Sequence, residues 1–178
     1  MTAGAIRFDT AEPGDRVLQP GEYAVGEAPL RMRTLLGSCV SITLWHPVRR
    51  IGAMSHFLLA ARSPSHQGVP DARYGEEALA LMLRQLHKRS IVPAECEAKI
   101  FGGGNMFPEQ TAAVVPNIGR RNGEAARDLL LAHGIRVHSE SLFGNGHRQM
   151  IFDLATGDVW VRQVNPESAA MPLDGAAP

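Results

Sequence analysis

The sequence predicts an α+β fold: a single domain of antiparallel or mixed β-sheets packed with two main α-helices. Two segments, residues 71–89 and 122–133, have apolar side chains at helical spacing, and several shorter segments have the two-residue alternation of strands. Helices and strands do not alternate regularly along the chain, which argues against a doubly wound parallel sheet. A length of 178 residues with 44% hydrophobic side chains is typical of one domain with its own core.

Each of the two predicted helices has one apolar face. The first, residues 71–89, has one apolar face formed by Leu79, Met82, Leu83 and Leu86. The second, residues 122–133, begins at Asn122, a good N-cap residue, and is followed by Gly134, which favours a helix end. Both apolar faces are typical of helices that pack against a core.

The other ordered segments have strand character. They are residues 23–25, 40–45, 50–59, 98–102, 135–141, 149–154 and 158–164. Residues 46–50 and 156–157 have the composition of tight turns, so the strands on either side of each turn are expected to form antiparallel hairpins.

The predicted domain covers residues 21–164. Residues 1–20 mix Gly, Pro, Asp and Glu without periodicity, which predicts a loose N-terminal segment. Residues 165–178 are rich in Pro and Ala and have too few large apolar side chains to bury much surface, which predicts a disordered tail.

Composition excludes several function classes. The 18 basic and 18 acidic side chains balance, whereas a nucleic-acid-binding domain normally has a basic excess. No stretch approaches the about 18 apolar residues of a membrane span, and residues 1–10 lack the apolar segment of a secretory signal, so a cytoplasmic protein without membrane insertion is expected. The seven histidines include no pair at zinc-binding spacing, so no metal or cofactor is predicted.

Cys39 and His56 are the candidate catalytic pair. Cys39 follows Gly37 and Ser38 directly before one predicted strand, and His56 lies on the next. Glycine permits a tight turn and close approach of a substrate, and a base held beside a thiol can activate it. Cys39 has the strand parity of Ser41 and Thr43, which predicts a polar, accessible face and a nucleophile with a lowered pKa.

Other residues offer alternatives to these assignments. A free cysteine most often simply packs in the core, and this alternative applies to Cys39. Cys96 has acidic neighbours and no glycine turn, so it is predicted to be structural. Residues 102–105 (GGGN) are predicted to form a turn or a wall close to Cys39, although their backbone N–H groups could instead bind an anion. His147, in a glycine-rich loop, could border the site and compete with His56 for the role of base.

Several segments, in a fixed order, resemble the motifs of one known family. They are residues 34–40, 51–56, 98–107, 117–122 and 151–157. Together they resemble the chemoreceptor glutamine deamidases, the CheD family, from about residue 21 to residue 164. The resemblance implies a cytoplasmic protein-glutamine glutaminase that converts glutamines of methyl-accepting chemoreceptors to glutamate through a cysteine thioester, and thereby regulates chemotaxis.

The same resemblance implies roles for individual residues. Cys39 and His56 occupy the positions of the family's catalytic cysteine and histidine. The family's third catalytic residue is a threonine six positions before the cysteine, where this chain has Arg33, while Thr34 is five positions before. Thr34 is the candidate, although on a regular strand its side chain would point to the opposite face unless Gly37 interrupts the strand. The implied partners are chemoreceptor cytoplasmic helices as the substrate and, in some organisms, a CheC-like phosphatase.

Two other function classes fit the same residues. A cysteine peptidase or a small-molecule amidase would use the same Cys–His chemistry, because both cleave a carbonyl–nitrogen bond. A non-catalytic binding module of chemotaxis signalling would keep Cys39 buried and inert. The nature of the product separates the deamidase from the other enzymes, and thiol reactivity separates every enzyme from the binding module.

Overall fold

The computed structural model describes residues 7–8, 11–63, 68–107 and 117–164, which form one α+β unit, as the sequence predicts. The helices are α1 (Gly75–His87) and α2 (Ile118–Ala132), with a short 3-10 helix at Pro93–Glu95. The strands are β1 (Asp15–Val17), β2 (Tyr23–Glu27), β3 (Arg31–Leu36), β4 (Val40–His46), β5 (Ile51–Ser55), β6 (Glu97–Gly102), β7 (Val137–Leu142), β8 (His147–Asp153) and β9 (Val159–Val164).

The strands form two mixed sheets. One has four strands in the order β1-β3-β8-β9, and the other has five in the order β2-β5-β4-β6-β7. The pairs β1/β3 and β6/β7 are parallel, and the remaining neighbours are antiparallel. No helix in the described ranges is long and apolar enough to cross a membrane.

Alternation along the strands creates two cores and three layers. Val40, Ile42 and Leu44 of β4 are buried together with side chains of α1 and α2, so the helices cover one face of the five-stranded sheet. On its other face, Met54 and Phe101 belong to a second core that includes apolar side chains of β3 and β8. The four-stranded sheet therefore packs against the face of β4 opposite the helices.

Helix α2 begins four residues earlier than the sequence predicts. Its N-cap is Asn117, whose Oδ1 accepts the N–H of Arg120 at 2.9 Å, so the prediction of Asn122 as N-cap is wrong. Gly119 and Gly123 weaken the helical signal of the first turns. A tertiary contact explains the glycine at position 119, because a Cβ on Gly119 would lie 2.6 Å from the Gly103 carbonyl oxygen.

Strands β1 and β3 are absent from the sequence-based assignment. β1 pairs with β3, and Asp15 accepts hydrogen bonds from Arg31 Nε at 2.8 Å and from Arg33 Nη1 at 3.0 Å. Leu18, which follows β1, is buried between the sheets. Residues 15–18 therefore belong to the fold, and the prediction of a loose segment over all of residues 1–20 is wrong for them. Residues 1–6, 9–10 and the tail at 165–178 lie outside the described residues.

Candidate active site

The predicted hairpin of β4 and β5 brings Cys39 and His56 onto one face. The ladder pairs Thr43 with Met54, and beyond it Val40 and Phe57 exchange backbone hydrogen bonds of 3.1 and 3.0 Å. Continuing this antiparallel register sets His56 opposite Ser41, two residues along the chain from Cys39. Both members of the predicted catalytic pair therefore share the face of the five-stranded sheet that meets the four-stranded sheet.

That face is not the polar, accessible surface that alternation predicts. Ser41 and Thr43 are completely or almost completely buried, because the four-stranded sheet covers their side of β4. Cys39 is nevertheless half-buried and not fully enclosed, since it lies in the turn that leads into β4. Its accessibility comes from this position at the strand end.

Thr34 contacts His56 across the two sheets. The distance between Thr34 Oγ1 and His56 Nδ1 is 2.7 Å, and Thr34 Oγ1 also donates to the Leu18 carbonyl oxygen at 2.8 Å. A hydroxyl has one hydrogen, so the proton of the first contact must belong to His56 Nδ1. The unprotonated nitrogen is then Nε2, which is buried and has no hydrogen-bond partner among the described residues.

The one-residue offset of Thr34 from the family pattern has a structural explanation. β3 ends at Leu36, residues 37–39 form a turn, and β4 belongs to the other sheet, so strand parity does not carry over from Thr34 to Cys39. Arg33 points away from the site and pairs with Asp15. Leu18 lies before residue 21, so the segment that fixes the Thr34 hydroxyl begins earlier than the predicted domain.

The triple-glycine segment forms a wall behind Cys39. Gly103 N–H donates to the Cys39 carbonyl oxygen and Gly104 N–H to the Gly37 carbonyl oxygen, each at 2.8 Å. Gly102 has φ +114°, and a Cβ there would lie 2.2 Å from the Cys39 carbonyl oxygen. Asn105 N–H donates to the Gly144 carbonyl oxygen, so the N–H groups of residues 103–105 are already used within the fold and do not bind an anion.

Two residues that sequence reasoning did not assign to the site hold its backbone. The Ser55 hydroxyl inserts between β4 and β5, where it accepts the N–H of Ile42 at 3.2 Å. Asn122 is buried inside α2, and its side-chain amide donates to the carbonyl oxygens of Ser38 at 3.2 Å and Leu58 at 2.7 Å. Only their positions in the sequence could have indicated these roles: Ser55 precedes His56, and Asn122 ends the motif at 117–122.

Burial sets the protonation states of the pair. It lowers the pKa of His56 from 6.5 to about 4, with the Leu18 carbonyl and the Glu22 carboxylate partly opposing the shift. Burial also raises the pKa of the Cys39 thiol, although its own backbone N–H acts in the other direction. The predicted lowered pKa of Cys39 is therefore wrong. Near neutral pH the pair consists of a thiol and a neutral imidazole, an arrangement suited to general-base activation during attack.

The remaining candidates lie where the sequence suggested. His147 is exposed and borders the turn before Cys39, because a Cβ on Gly37 would lie 3.5 Å from His147 Nδ1. Cys96 is buried in the helix-facing core, and burial, followed by the charge of Glu95, raises its pKa to about 11. The described ranges contain no group of three or more His, Cys, Asp or Glu side chains that could hold a metal ion.

Cys39 is expected to react with iodoacetamide faster than Cys96 in the folded protein. Cys39 is half-buried, whereas Cys96 is 3% exposed and has a pKa raised to about 11, so less thiolate reaches the reagent. Mass spectrometry of peptides from a labelling time course measures both rates, and labelling in denaturant should make the two rates similar. Equal or slower labelling of Cys39 in the folded state would count against every enzymatic function.

Comparison with known proteins identifies the family. Residues 58–163 match the family model CheD, described as CheD chemotactic sensory transduction. A probable chemoreceptor glutamine deamidase CheD 2 of Albidiferax ferrireducens is 60% identical over 156 residues, covering 87% of this chain and 90% of the relative. A probable chemoreceptor glutamine deamidase CheD of Pseudomonas savastanoi pv. phaseolicola is 45% identical, covering 82% of each chain.

Similarity of this kind extends to relatives with lower sequence identity. A probable chemoreceptor glutamine deamidase CheD of Desulforamulus reducens is 34% identical over 154 residues, covering 85% of this chain and 93% of the relative. The family-model match begins after His56, but an alignment of 156 residues within a chain of 178 must span both Cys39 and His56. The chain therefore belongs to the CheD family of chemotaxis proteins.

Proposed function

We propose that this protein deamidates glutamine side chains of chemoreceptors to glutamate, with Cys39 as nucleophile, His56 as base and Thr34 as the residue that orients His56. The observation that carries the proposal is the hydrogen bond between Thr34 Oγ1 and His56 Nδ1, which leaves Nε2 unprotonated on the face shared with Cys39. The relatives named as probable chemoreceptor glutamine deamidases supply the substrate class.

The first half of the reaction forms a thioester. His56 Nε2 takes the thiol proton as Cys39 Sγ attacks the carboxamide carbon, and Thr34 Oγ1 accepts the Nδ1–H of the resulting imidazolium. The Cys39 N–H, which has no backbone acceptor among the described residues, is the donor for the oxyanion. One such donor contributes about 3 kcal/mol to transition-state stabilisation. The C–N bond then breaks, and the nitrogen takes the proton from His56 and leaves as ammonia.

The second half regenerates the enzyme. His56 Nε2 removes a proton from a water molecule as its oxygen attacks the thioester carbon. The C–S bond breaks, the Cys39 sulfur receives the proton from His56, and glutamate is released. The net reaction replaces an amide nitrogen by a water oxygen, so it needs no redox partner. Its result for a receptor is a new negative charge at a former glutamine.

Peptide mass spectrometry of a chemoreceptor cytoplasmic fragment tests the proposal. Incubation with this protein should convert particular glutamines to glutamates in an uncleaved chain, and the Cys39→Ala variant should leave the fragment unchanged. Cleavage of the fragment would instead establish the peptidase alternative. Unmodified glutamines throughout, together with a readily alkylated Cys39, would contradict the proposed substrate.

The pH dependence of the reaction should report the lowered pKa of His56. The base must be neutral, so kcat/KM should rise as pH increases through about 4 and be at its plateau well below the pH 6.5 of an unperturbed histidine. Initial rates of ammonia release between pH 3.5 and 8, in buffers of constant ionic strength, measure this rise in kcat/KM. A rise in kcat/KM centred near pH 6.5 would show that His56 is hydrated in the working enzyme.

Thr34→Val should lower kcat at least about tenfold, because a misoriented imidazole presents the wrong nitrogen or the wrong angle to the thiol. The change also leaves the Leu18 carbonyl oxygen without its hydroxyl donor, at a cost of about 1–3 kcal/mol in stability. Thr34→Ser retains the hydroxyl and should recover most of kcat. Thermal unfolding of both variants separates the two effects, and a wild-type rate in the valine variant would remove Thr34 from the mechanism.

A further inference from the structure

One buried side chain ties the two catalytic segments to helix α2. Asn122 is 1% exposed, and its Nδ2 donates to the carbonyl oxygens of Ser38 and Leu58, at 3.2 and 2.7 Å. Ser38 directly precedes Cys39, and Leu58 follows His56 by two residues. The two acceptors lie 84 and 64 residues from Asn122 in the chain, so these contacts are tertiary and serve no purpose in capping the helix.

The bond to Ser38 determines the direction of the neighbouring amide. The peptide group is planar and trans, so a carbonyl that points toward α2 requires the Cys39 N–H to point away from the helix. On the other side of the residue, the Cys39 carbonyl oxygen is held by Gly103 N–H at 2.8 Å. Both peptide groups of Cys39 are therefore fixed, one by the Asn122 side chain and one by the triple-glycine segment.

Among the described residues near Cys39, few backbone N–H groups remain available to donate to an oxyanion. The N–H groups of Gly103 and Gly104 are used by the carbonyl oxygens of Cys39 and Gly37. The Cys39 N–H donates to no backbone oxygen in the part of the chain that the structure describes. A hydrogen bond to the carbonyl end of a peptide group also polarises its N–H end, which makes that amide a stronger donor.

We infer that Asn122 is a positioning residue that aims the Cys39 N–H at the oxyanion formed during attack on the carboxamide. This inference rests on the proposed deamidase function. The alternative is that Asn122 only holds α2 against the five-stranded sheet. Loss of the side-chain amide would then weaken the fold without a selective effect on the step in which the oxyanion forms.

The test compares Asn122→Leu with Asn117→Ala, which removes the N-cap hydrogen bond of the same helix without touching Ser38 or Leu58. Asn122→Leu should lower kcat by about tenfold to a hundredfold, below the loss for deleting an oxyanion donor outright, with little change in KM. Its rate of Cys39 alkylation by iodoacetamide should fall much less than kcat, because that reaction forms no oxyanion and the Cys39 N–H has a smaller effect than burial on the pKa of the thiol. Asn117→Ala should lower the melting temperature and retain kcat.

A second readout does not depend on turnover. The ¹H–¹⁵N resonance of the Cys39 amide should shift in Asn122→Leu and stay in place in Asn117→Ala, because only the first variant removes the bond to the Ser38 carbonyl. Asn122→Ser, a smaller polar replacement, serves the same comparisons if the leucine variant does not fold.

Three results would overturn the inference: an unchanged kcat, a fall in alkylation that matches the fall in kcat, or an unshifted Cys39 amide. If the wild-type protein modifies no receptor fragment, the proposed function fails by itself. The amide resonance then still decides whether Asn122 orients the Ser38–Cys39 peptide, and an unshifted resonance rejects that orientation.

Discussion

Replacing Cys39 by alanine is expected to abolish deamidation while leaving the fold in place. The thiol sulfur forms the bond to the substrate carbon, and removing the nucleophile of a catalytic unit lowers kcat by about 10⁴-fold or more. Cys39 is half-buried in a turn, and the backbone of that turn is held by Gly103 and Gly104, so loss of one sulfur atom should change the melting temperature little. Deamidation of a receptor fragment and thermal unfolding measure the two effects.

Cys96→Ala is the matched control for this experiment. Cys96 is packed in the core between the helices and the five-stranded sheet, so its replacement should lower stability and preserve turnover. Retention of activity by the Cys39→Ala variant would mean that no thioester forms at this residue. Deamidation would then proceed through a nucleophile elsewhere in the chain.

Local patterns predicted that Cys39 and His56 share one face, because the geometry that brings them together is local. β4 and β5 are joined by a short turn, so the alternation of Val40, Ile42 and Leu44 determines which side of the hairpin Cys39 and His56 share. The helical periods at α1 and α2 likewise depend only on neighbouring residues. These features of the fold can therefore be predicted from a single sequence.

Contacts between the two sheets could not be predicted from local sequence patterns. Strand parity describes one sheet, whereas Thr34 and His56 lie on different sheets that meet face to face. The alternation of β4 showed which side chains are opposite the aliphatic face, but it gave no sign that the four-stranded sheet covers them. That covering sheet reverses the expected direction of the Cys39 pKa, because burial disfavours the thiolate.

Asn122 shows how a correct residue preference can lead to a wrong assignment. Asparagine is a favoured N-cap, and the residue follows a glycine-containing stretch of low helical propensity. In the structure its amide is turned inward to two carbonyl groups from distant parts of the chain, and Asn117 caps the helix instead. A polar side chain that is buried inside a helix needs such partners, and only the tertiary structure identifies them.

His56→Ala is expected to lower the rate of deamidation by about 10²-fold or more, the usual effect of losing a base that also activates the nucleophile. The neutral thiol makes this dependence strong, because burial raises the pKa of Cys39 and little thiolate forms without a base. His147→Ala is the control, since His147 is exposed beside Gly37 and forms no part of the Thr34–His56 contact. Its effect should be less than about threefold, as for most exposed substitutions.

The double variant Cys39→Ala/His56→Ala decides whether the two residues act as one unit. If His56 acts only by moving the Cys39 proton, removing it from the Cys39→Ala protein should cause no further loss, because residues of one catalytic unit are strongly non-additive. The comparison is made at pH 7, where a histidine with a pKa of about 4 is neutral. A large loss in His147→Ala together with a tolerated His56→Ala would assign the role of base to His147, at the start of β8. The hydrogen bond from His56 to Thr34 would then be a structural contact between the two sheets, and Thr34→Val would affect stability alone.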